Sequence, residues 1–248
     1  MQIRAVVERA RRLPSFLTGS IKQTRASFED RRRFPRPRSD EVVVLVPGAF
    51  CTAGVMNELA GQLNRLGLYV ELPRPFPYYW GALANLCPLE EGTHKFLDEF
   101  HRLRAKRGIE KVWFAGHSNG GLLSLLAIDI AEEERDRTFL DQLQGVITMA
   151  APFKGTDVAS LMQHFIPVCR DLRADSPLLK RVARQRNWVK LCLQAEKDFL
   201  VPPENQYLEG MAYETMPGYQ HMDFVVGGEA KVGATAEKIA ACVRGEGA

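Results

Sequence analysis

The sequence around Ser118 restricts the fold more than any other part of the chain. Residues 111–115 form an apolar run typical of a buried β-strand, and residues 119–131 predict an apolar helix. Between the two stands the turn Gly116-His117-Ser118-Asn119-Gly120-Gly121, which contains a G-x-S-x-G pattern. Because the two glycines of that pattern have no Cβ, the strand and the helix can approach each other closely around the turn. A strand that passes directly into a helix indicates a sheet covered by helices.

Strands and helices continue to alternate on both sides of this turn. Hydrophobic periodicity predicts further strands at 42–46, 68–72, 145–150, 189–195 and 211–216, and further helices at 54–66, 90–107 and 229–243. We therefore predict an α/β fold, in which a mostly parallel central sheet carries helices on both faces.

Residues 153–187 interrupt this alternation. Helix-like patterns cover residues 158–165 and 177–186, and no strand pattern occurs in the segment. An insertion of this length over the strand ends can be a lid or cap that faces the substrate, or it can be structural decoration. The sequence leaves both alternatives open.

The N-terminal segment differs in charge from the rest of the chain. Residues 1–38 hold 11 Lys and Arg against 3 Asp and Glu, although the whole chain has a net charge of only +3. We interpret residues 1–40 as a basic arm and linker, and residues 41–248 as one domain. Residues 3–17 have the pattern of a basic amphipathic helix. Such a helix can make peripheral contact with an anionic membrane, dock on its own domain or remain a free extension. A transit peptide is a lesser alternative, and the acidic residues of the arm argue against it.

Composition excludes several classes of protein. With 46% hydrophobic and 25% charged residues, the chain is an ordinary globular protein without an apolar run long enough for a membrane span.

The five cysteines are scattered without a C-x-x-C pair, and the N-terminus lacks the apolar core of a secretory signal. We therefore expect free thiols and a cytoplasmic setting, with export by another route left open. Basic residues are not interleaved with aromatic ones as in nucleic-acid-binding motifs, so we expect no nucleic acid partner.

Ser118 has the setting of an activated nucleophile. A sharp turn from strand to helix projects the serine side chain from the edge of the sheet, and the start of a helix favours the negative charge that develops there. The alternative interpretation is a glycine-rich turn whose serine caps the helix.

At this turn and in four further segments, the chain resembles the α/β-hydrolase family, specifically its lipase and esterase branch. The further segments, in chain order, are residues 44–50, 151–156, 198–202 and 218–221. The resemblance spans residues 41–245 and implies an α/β-hydrolase domain with a catalytic triad in the order Ser, acid, His. It implies that Ser118 is the nucleophile.

Five histidines are available as the general base that removes the serine proton. The order implied by the resemblance favours His221, which lies in the loop between the last predicted strand and the last helix. His94 and His101 lie on the charged helix at 90–107, and we expect them to face solvent. His117 precedes the nucleophile, but we expect its side chain to point away at such a turn. His164 lies in the insertion.

The resemblance also implies the acid and the oxyanion hole. Asp198 follows the strand at 189–195 within a segment that resembles the acid loop of the family, and it would orient His221 and stabilise its cation. Glu196 is the second choice for this carboxylate, and Glu204 is the third.

Backbone N–H groups would stabilise the oxyanion of the tetrahedral intermediate. By the same resemblance, the donors are Asn119 and Ala49, with Phe50 as the alternative to Ala49. Pro47 stands where many relatives carry His, which leaves the choice between Ala49 and Phe50 open.

These features together predict a serine hydrolase that cleaves carboxylic esters through an acyl-enzyme, and the resemblance implies a lipid-like or hydrophobic acyl group. The alternatives are an acyltransferase or thioesterase with the same triad, and a non-catalytic binding protein on this fold. No phosphate loop, dinucleotide motif or His-rich metal pattern occurs, so we expect no cofactor and no metal. The segment at residues 72–80, which is rich in aromatic residues and proline, either lines an acyl pocket with Phe50, Phe153 and apolar residues of the insertion, or forms a rigid packed loop.

Overall fold

The central sheet contains six strands. The computed structural model describes residues 34–35, 41–72 and 86–246, and the statements below concern these residues. The strands are β1 (Glu41–Val46), β2 (Val70–Glu71), β3 (Lys111–His117), β4 (Leu143–Met149), β5 (Val189–Ala195) and β6 (Tyr213–Met216). Their order in the sheet is β2-β1-β3-β4-β5-β6, and every neighbouring pair is parallel. The predicted parallel α/β architecture is confirmed.

Helices connect the strands and cover both faces of the sheet. The helices of the described residues are α1 (Asn57–Arg65), α2 (Leu89–Arg107), α3 (Asn119–Glu134), α4 (Arg137–Gln142), α5 (Asp157–Met162), α6 (Pro167–Asp171), α7 (Pro177–Arg184), α8 (Asp223–Val226) and α9 (Glu229–Arg244).

Strand β1 shows why the strands have continuous apolar sequences. Val42, Val44 and Val46 belong to the core on one side of the sheet, together with residues of α2 and α3. Val43 and Leu45 belong to the core on the other side, together with residues of α1 and α9. Because helices cover both faces, successive side chains are all buried and the usual alternation with polar residues disappears.

Each predicted strand and helix of the described residues is present, with small shifts at its ends. The helix predicted at 54–66 begins with a 3-10 turn at Ala53–Met56 before α1, and β2 has two residues rather than five. The short helices α4, α6 and α8 were missed by the sequence prediction. They are too short to show a hydrophobic period, and α4 begins at a cap in which Asp136 accepts a hydrogen bond from the N–H of Phe139.

Residues 153–187, which we call the cap, contain α5, α6 and α7 and no strand. Arg181 on α7 ties the cap to the helices that cover the sheet. Its guanidinium lies 2.8 Å from the carboxylate of Glu90 on α2, and 2.8 Å and 3.1 Å from those of Asp129 and Glu133 on α3. Movement of the cap as a lid stays a prediction.

Two parts of the sequence prediction lie outside the described residues, namely the basic arm with its amphipathic pattern at 3–17 and the aromatic residues 73–80. The membrane contact of the arm and the domain boundary at residue 40 therefore stay predictions. None of the helices that the structure describes has the length and apolar character to cross a membrane. All five cysteines are described, and none forms a disulfide.

Candidate active site

The turn after β3 holds Ser118 in a backbone conformation that residues other than glycine rarely adopt. Ser118 has φ 55° and ψ −129°. Its N–H donates to the carbonyl oxygen of Met149 at the end of β4, over 2.8 Å, and α3 begins at the next residue. Ser118 therefore sits at the carboxyl edge of the sheet, where neighbouring parallel strands end and where α/β proteins bind ligands.

Two glycines allow this turn to form. A Cβ on Gly116 would lie 2.5 Å from backbone atoms of Gly120 and Gly121. A Cβ on Gly120 would lie 2.3 Å from the carbonyl oxygen of Val46 at the end of β1. Both distances are far inside van der Waals contact, so β1, β3 and α3 can meet here only because these positions carry no side chain.

His221 and Asp198 come together from two different loops. Asp198 follows β5 and His221 follows β6, and the Nδ1 atom of His221 lies 2.7 Å from Oδ2 of Asp198. The ionised carboxylate can only accept, so Nδ1 carries the proton of a neutral imidazole and Nε2 carries the lone pair. His221 and Ser118 line the same cavity.

The Asp198 carboxylate is fixed by hydrogen bonds on both oxygens. Its Oδ1 accepts from the N–H groups of Leu200 and Val201, at 2.8 Å and 3.0 Å. Its Oδ2 accepts from Gln206 Nε2 at 3.1 Å in addition to His221, and the side chain is fully buried. Gln206 also donates to the carbonyl oxygen of Val201 at 2.6 Å, which ties the acid loop together. A lone glutamine in a loop gives no signal of such a role in the sequence.

The two other carboxylates considered for this role lie elsewhere. Glu196 is exposed and accepts a hydrogen bond from the N–H of Gly218 at 2.7 Å. Glu204 is exposed on the turn after the acid loop. Neither has a hydrogen bond or ion pair with His221 among the contacts of the described residues.

The loop after β1 packs directly against the nucleophile turn. A Cβ on Gly48 would lie 2.8 Å from the Cβ of Ser118, and Ala49 and Phe50 both line the cavity beside Ser118. Phe50 has φ 58°, a positive value that L-residues rarely adopt. Asn119 is the first residue of α3, and the first N–H groups of a helix have no acceptor within the helix. Asn119 thus follows Ser118 at the start of α3, and Ala49 lines the same cavity as Ser118, but the role of their N–H groups as oxyanion donors stays a prediction.

A cavity of about 420 Å³ opens at Ser118 and His221. Most of its wall is apolar and comes from the cap and from Leu200, Val201 and Met222. The cap residues on this wall include Val158, Ala159, Met162, Ile166, Val168 and Leu172. Phe50 lines the cavity as predicted, whereas Phe153, the first residue of the cap, does not, because its side chain is buried in the core.

The comparisons with known proteins concern the family and the fold. The sequence profile of the class 3 lipase family matches residues 78–168, which include α2, β3, the Ser118 turn, α3, β4 and the first part of the cap. No curated protein matches the chain in sequence.

Solved structures of lipolytic enzymes share the architecture. One, from work on the metagenome-derived lipolytic enzymes LipS and LipT, has a TM-score of 0.64 at 16% identity and covers 86% of this chain and 100% of its own. Phospholipase PlaB from Legionella pneumophila has a TM-score of 0.65 at 15% identity, covering 82% of this chain and 58% of its own. A monoacylglycerol lipase from Paleococcus ferrophilus has a TM-score of 0.54 at 19% identity, covering 86% of this chain and 98% of its own.

The chain has the α/β-hydrolase fold. The structural likeness establishes the fold, and the class 3 lipase match confirms the resemblance to the lipase and esterase branch. With it, the predicted class of enzyme, a carboxylic ester hydrolase, is confirmed.

Three of the remaining histidines are away from the cavity. His94 is exposed on α2, and His164 is exposed on the cap. His101 was expected to face solvent, but it is half-buried, because its ring packs near Phe100 and Phe139 and its Nε2 lies 3.4 Å from Asp136.

The sequence prediction for the direction of the His117 side chain is wrong. Its side chain does not point away from the site: the ring lines the cavity, and Nε2 lies 2.7 Å from the carbonyl oxygen of His221. Burial, together with a smaller effect of the positive charge that His221 can carry, lowers the pKa of His117 to about 3. The alternation along β3 could have indicated this position, because Trp113 and Ala115 face the same side of the sheet as His117.

No metal site accompanies these groups in the described part of the chain, where no three His, Cys, Asp or Glu residues are grouped to hold a metal ion.

Proposed function

We propose that the protein hydrolyses carboxylic esters with hydrophobic acyl groups through an acyl-enzyme on Ser118. The observation that carries this proposal is the cavity at which Ser118 and His221 meet, with His221 bonded to the buried carboxylate of Asp198. Nucleophile, base and orienting acid have the chemical types and the chain order of the serine hydrolases of this fold.

The hydroxyl of Ser118 needs a base, because a neutral alcohol is a poor nucleophile. In the proposed first step, Nε2 of His221 takes the hydroxyl proton as Oγ attacks the ester carbon. The resulting imidazolium faces the Asp198 carboxylate, which stabilises its charge. His221 then gives the proton to the departing alcohol, and the acyl group remains on Ser118.

Water completes the proposed reaction by the same route. His221 takes a proton from a water molecule as the water oxygen attacks the acyl carbon, and it returns the proton to Oγ as the free acid leaves. In both steps the carbonyl oxygen becomes negative, and we assign its stabilisation to the backbone N–H groups of Asn119 and Ala49. Asn119 lies at the helix start and Ala49 in the loop that packs against Ser118, and such stabilisation requires preorganised donors beside the nucleophile.

The proposed acyl site is the apolar wall of the cavity. Side chains of α5 and α6 and the acid loop residues Leu200 and Val201 supply that wall. A hydrocarbon chain there gains the free energy of apolar burial, which grows with chain length until the cavity is full. The volume of about 420 Å³ lies within the usual range of small-molecule sites.

The proposal is tested by hydrolysis of a chain-length series of chromogenic esters by wild type, Ser118→Ala and Ser160→Ala. Ser160 is a suitable control, because it is exposed on the cap and does not line the cavity. We expect Ser118→Ala to lower kcat by about a thousandfold or more, as loss of a triad nucleophile does, and Ser160→Ala to behave as wild type. Turnover should rise with acyl length and then fall.

Two results would count against this function. Equal rates for wild type and Ser118→Ala would remove Ser118 from the chemistry. Formation of an acylated product instead of free acid, when alcohol or thiol acceptors are added, would indicate an acyltransferase in place of a hydrolase.

A further inference from the structure

His117 is a buried imidazole that the proposed mechanism does not use. It is the last residue of β3, directly before Ser118, and only 1% of its surface is exposed. Its ring centroid lies 4.9 Å from that of His221 and 6.4 Å from that of Phe224 on α8. Burial of a polar ring is unfavourable unless its polar atoms are hydrogen-bonded, so the contacts of its two nitrogens are informative.

The single strong polar contact of this ring determines its protonation. Nε2 lies 2.7 Å from the carbonyl oxygen of His221, and a carbonyl oxygen only accepts, so Nε2 carries the hydrogen and donates. Among the described residues, Nδ1 has no hydrogen-bond partner. The lowered pKa of His117, about 3, keeps the ring neutral at ordinary pH, and the hydrogen bond to the carbonyl oxygen selects the tautomer with the hydrogen on Nε2.

His221 is consequently held at two points. Asp198 fixes its side chain through Nδ1, and His117 fixes its backbone through the carbonyl oxygen. An imidazole bonded only at Nδ1 can still swing when its loop shifts, because the Cα moves with the backbone. A second bond at the backbone removes that freedom and determines where Nε2 points. The donor of this second bond, His117, directly precedes Ser118 in the chain. The loop of His221 is therefore hydrogen-bonded to the residue next to the nucleophile.

We propose that His117 is a positioning residue, which fixes the loop of His221 by donating from Nε2 to the His221 carbonyl oxygen and so directs the base toward Ser118. This inference rests on the proposed function, in which Ser118 and His221 react. A misdirected base costs rate at the chemical step, since general base catalysis requires hydrogen-bond reach. Substrate binding in the apolar cavity does not depend on that direction.

Three substitutions separate positioning from packing. His117→Gln places an amide nitrogen close to where Nε2 stands, His117→Asn carries the same amide at a shorter reach, and His117→Phe keeps the ring without a donor. If His117 only fills space, phenylalanine is the best replacement. If it acts as a donor to the His221 carbonyl, glutamine is the best replacement.

The measurement is kcat and KM for ester hydrolysis by wild type and the three variants, with thermal melting to verify folding. We expect kcat to fall about tenfold in His117→Phe and His117→Asn, the effect of one neutral hydrogen bond, with KM within about twofold of wild type. His117→Gln should recover most of the loss. Wild-type kcat in His117→Phe, or equal losses in all three variants, would overturn the proposal.

A measurement on the wild-type protein remains decisive if a variant fails to fold. Side-chain ¹⁵N NMR should show His117 neutral, with the hydrogen on Nε2, between pH 5 and pH 8. A cationic ring or the Nδ1–H tautomer would overturn the positioning role alone. Absence of ester turnover in the wild type would instead refute the proposed function, and with it any catalytic role of His117.

Discussion

The buried neutral state of His117 makes the stability of the protein depend on pH in a defined way. An unfolded histidine has a pKa near 6.5, whereas burial lowers that of His117 to about 3 in the folded protein. Between these values the unfolded chain binds one proton that the folded protein does not. Acidification therefore favours unfolding, and the contribution of His117 to stability is complete above pH 6.5 and is lost as the pH falls toward 3.

The magnitude follows from this difference in protonation. Each pH unit below 6.5 costs about 1.4 kcal/mol for one proton, so the free energy of unfolding should lose about 3 kcal/mol between pH 7.5 and pH 4.5 through His117 alone. The other ionisable groups of the protein are all present in a His117→Phe variant as well. The difference in unfolding free energy between wild type and His117→Phe isolates the contribution of His117.

Urea unfolding followed by tryptophan fluorescence at pH 7.5, 6.5, 5.5 and 4.5 gives this difference. The free energy of unfolding of the wild type should fall by about 3 kcal/mol more than that of His117→Phe across the range. A difference that stays constant with pH would mean that His117 titrates in the folded state as it does in the unfolded chain. The ring would then not be the buried neutral donor inferred here.

Three further predictions concern the acid, the nucleophile turn and the cap. Asp198→Asn should lower kcat by about a thousandfold or more with the fold retained, because an amide no longer holds the required imidazole tautomer; far-UV circular dichroism and ester kinetics measure this. Gly116→Ala should lower the free energy of unfolding by about 1 to 3 kcal/mol, because the added Cβ would lie 2.5 Å from backbone atoms. The control is Gly233→Ala on α9, where an added Cβ would lie 4.0 Å from its nearest neighbours, and this change should be neutral or stabilising. Arg181→Met should lower the free energy of unfolding, measured in urea, by about 1 to 3 kcal/mol. The change removes the closest ion-pair partner of Asp129 on α3, whose side chain is only 5% exposed. The exposed Arg102→Met on α2 should cost less than about 0.5 kcal/mol, and equal effects of the two arginine changes would contradict a specific role for the cap contact.

The sheet was predictable because each of its inner strands is buried on both faces. The continuous apolar run at residues 42–46 corresponds to β1 almost residue for residue, and the predicted strand at 189–195 coincides with β5. The short helices were not predictable, because α6 and α8 have five and four residues and no room for a helical period. Their positions depend on tertiary contacts that the local sequence does not encode.

In the candidate site, the sequence indicated which residue types meet but not how side chains point. Asp198 and Glu196 stand two residues apart in one turn, and only the fold distinguishes the inward carboxylate with four hydrogen bonds from the exposed one. Gln206 gave no signal, since its role depends on the folded path of the acid loop. His117 was misjudged although the two-residue period of β3 contained the information.

Ser118 is the nucleophile of every proposed step, and covalent labelling with a fluorophosphonate tests this assignment directly. The probe reacts with a serine only where a base has activated it, so it needs no knowledge of the natural ester. Peptide mapping of the labelled native protein should locate one adduct on Ser118, absent in Ser118→Ala and retained in Ser160→Ala. Unfolding in urea before labelling should abolish it. No adduct on the folded wild type, or an adduct that persists in Ser118→Ala, would contradict the account.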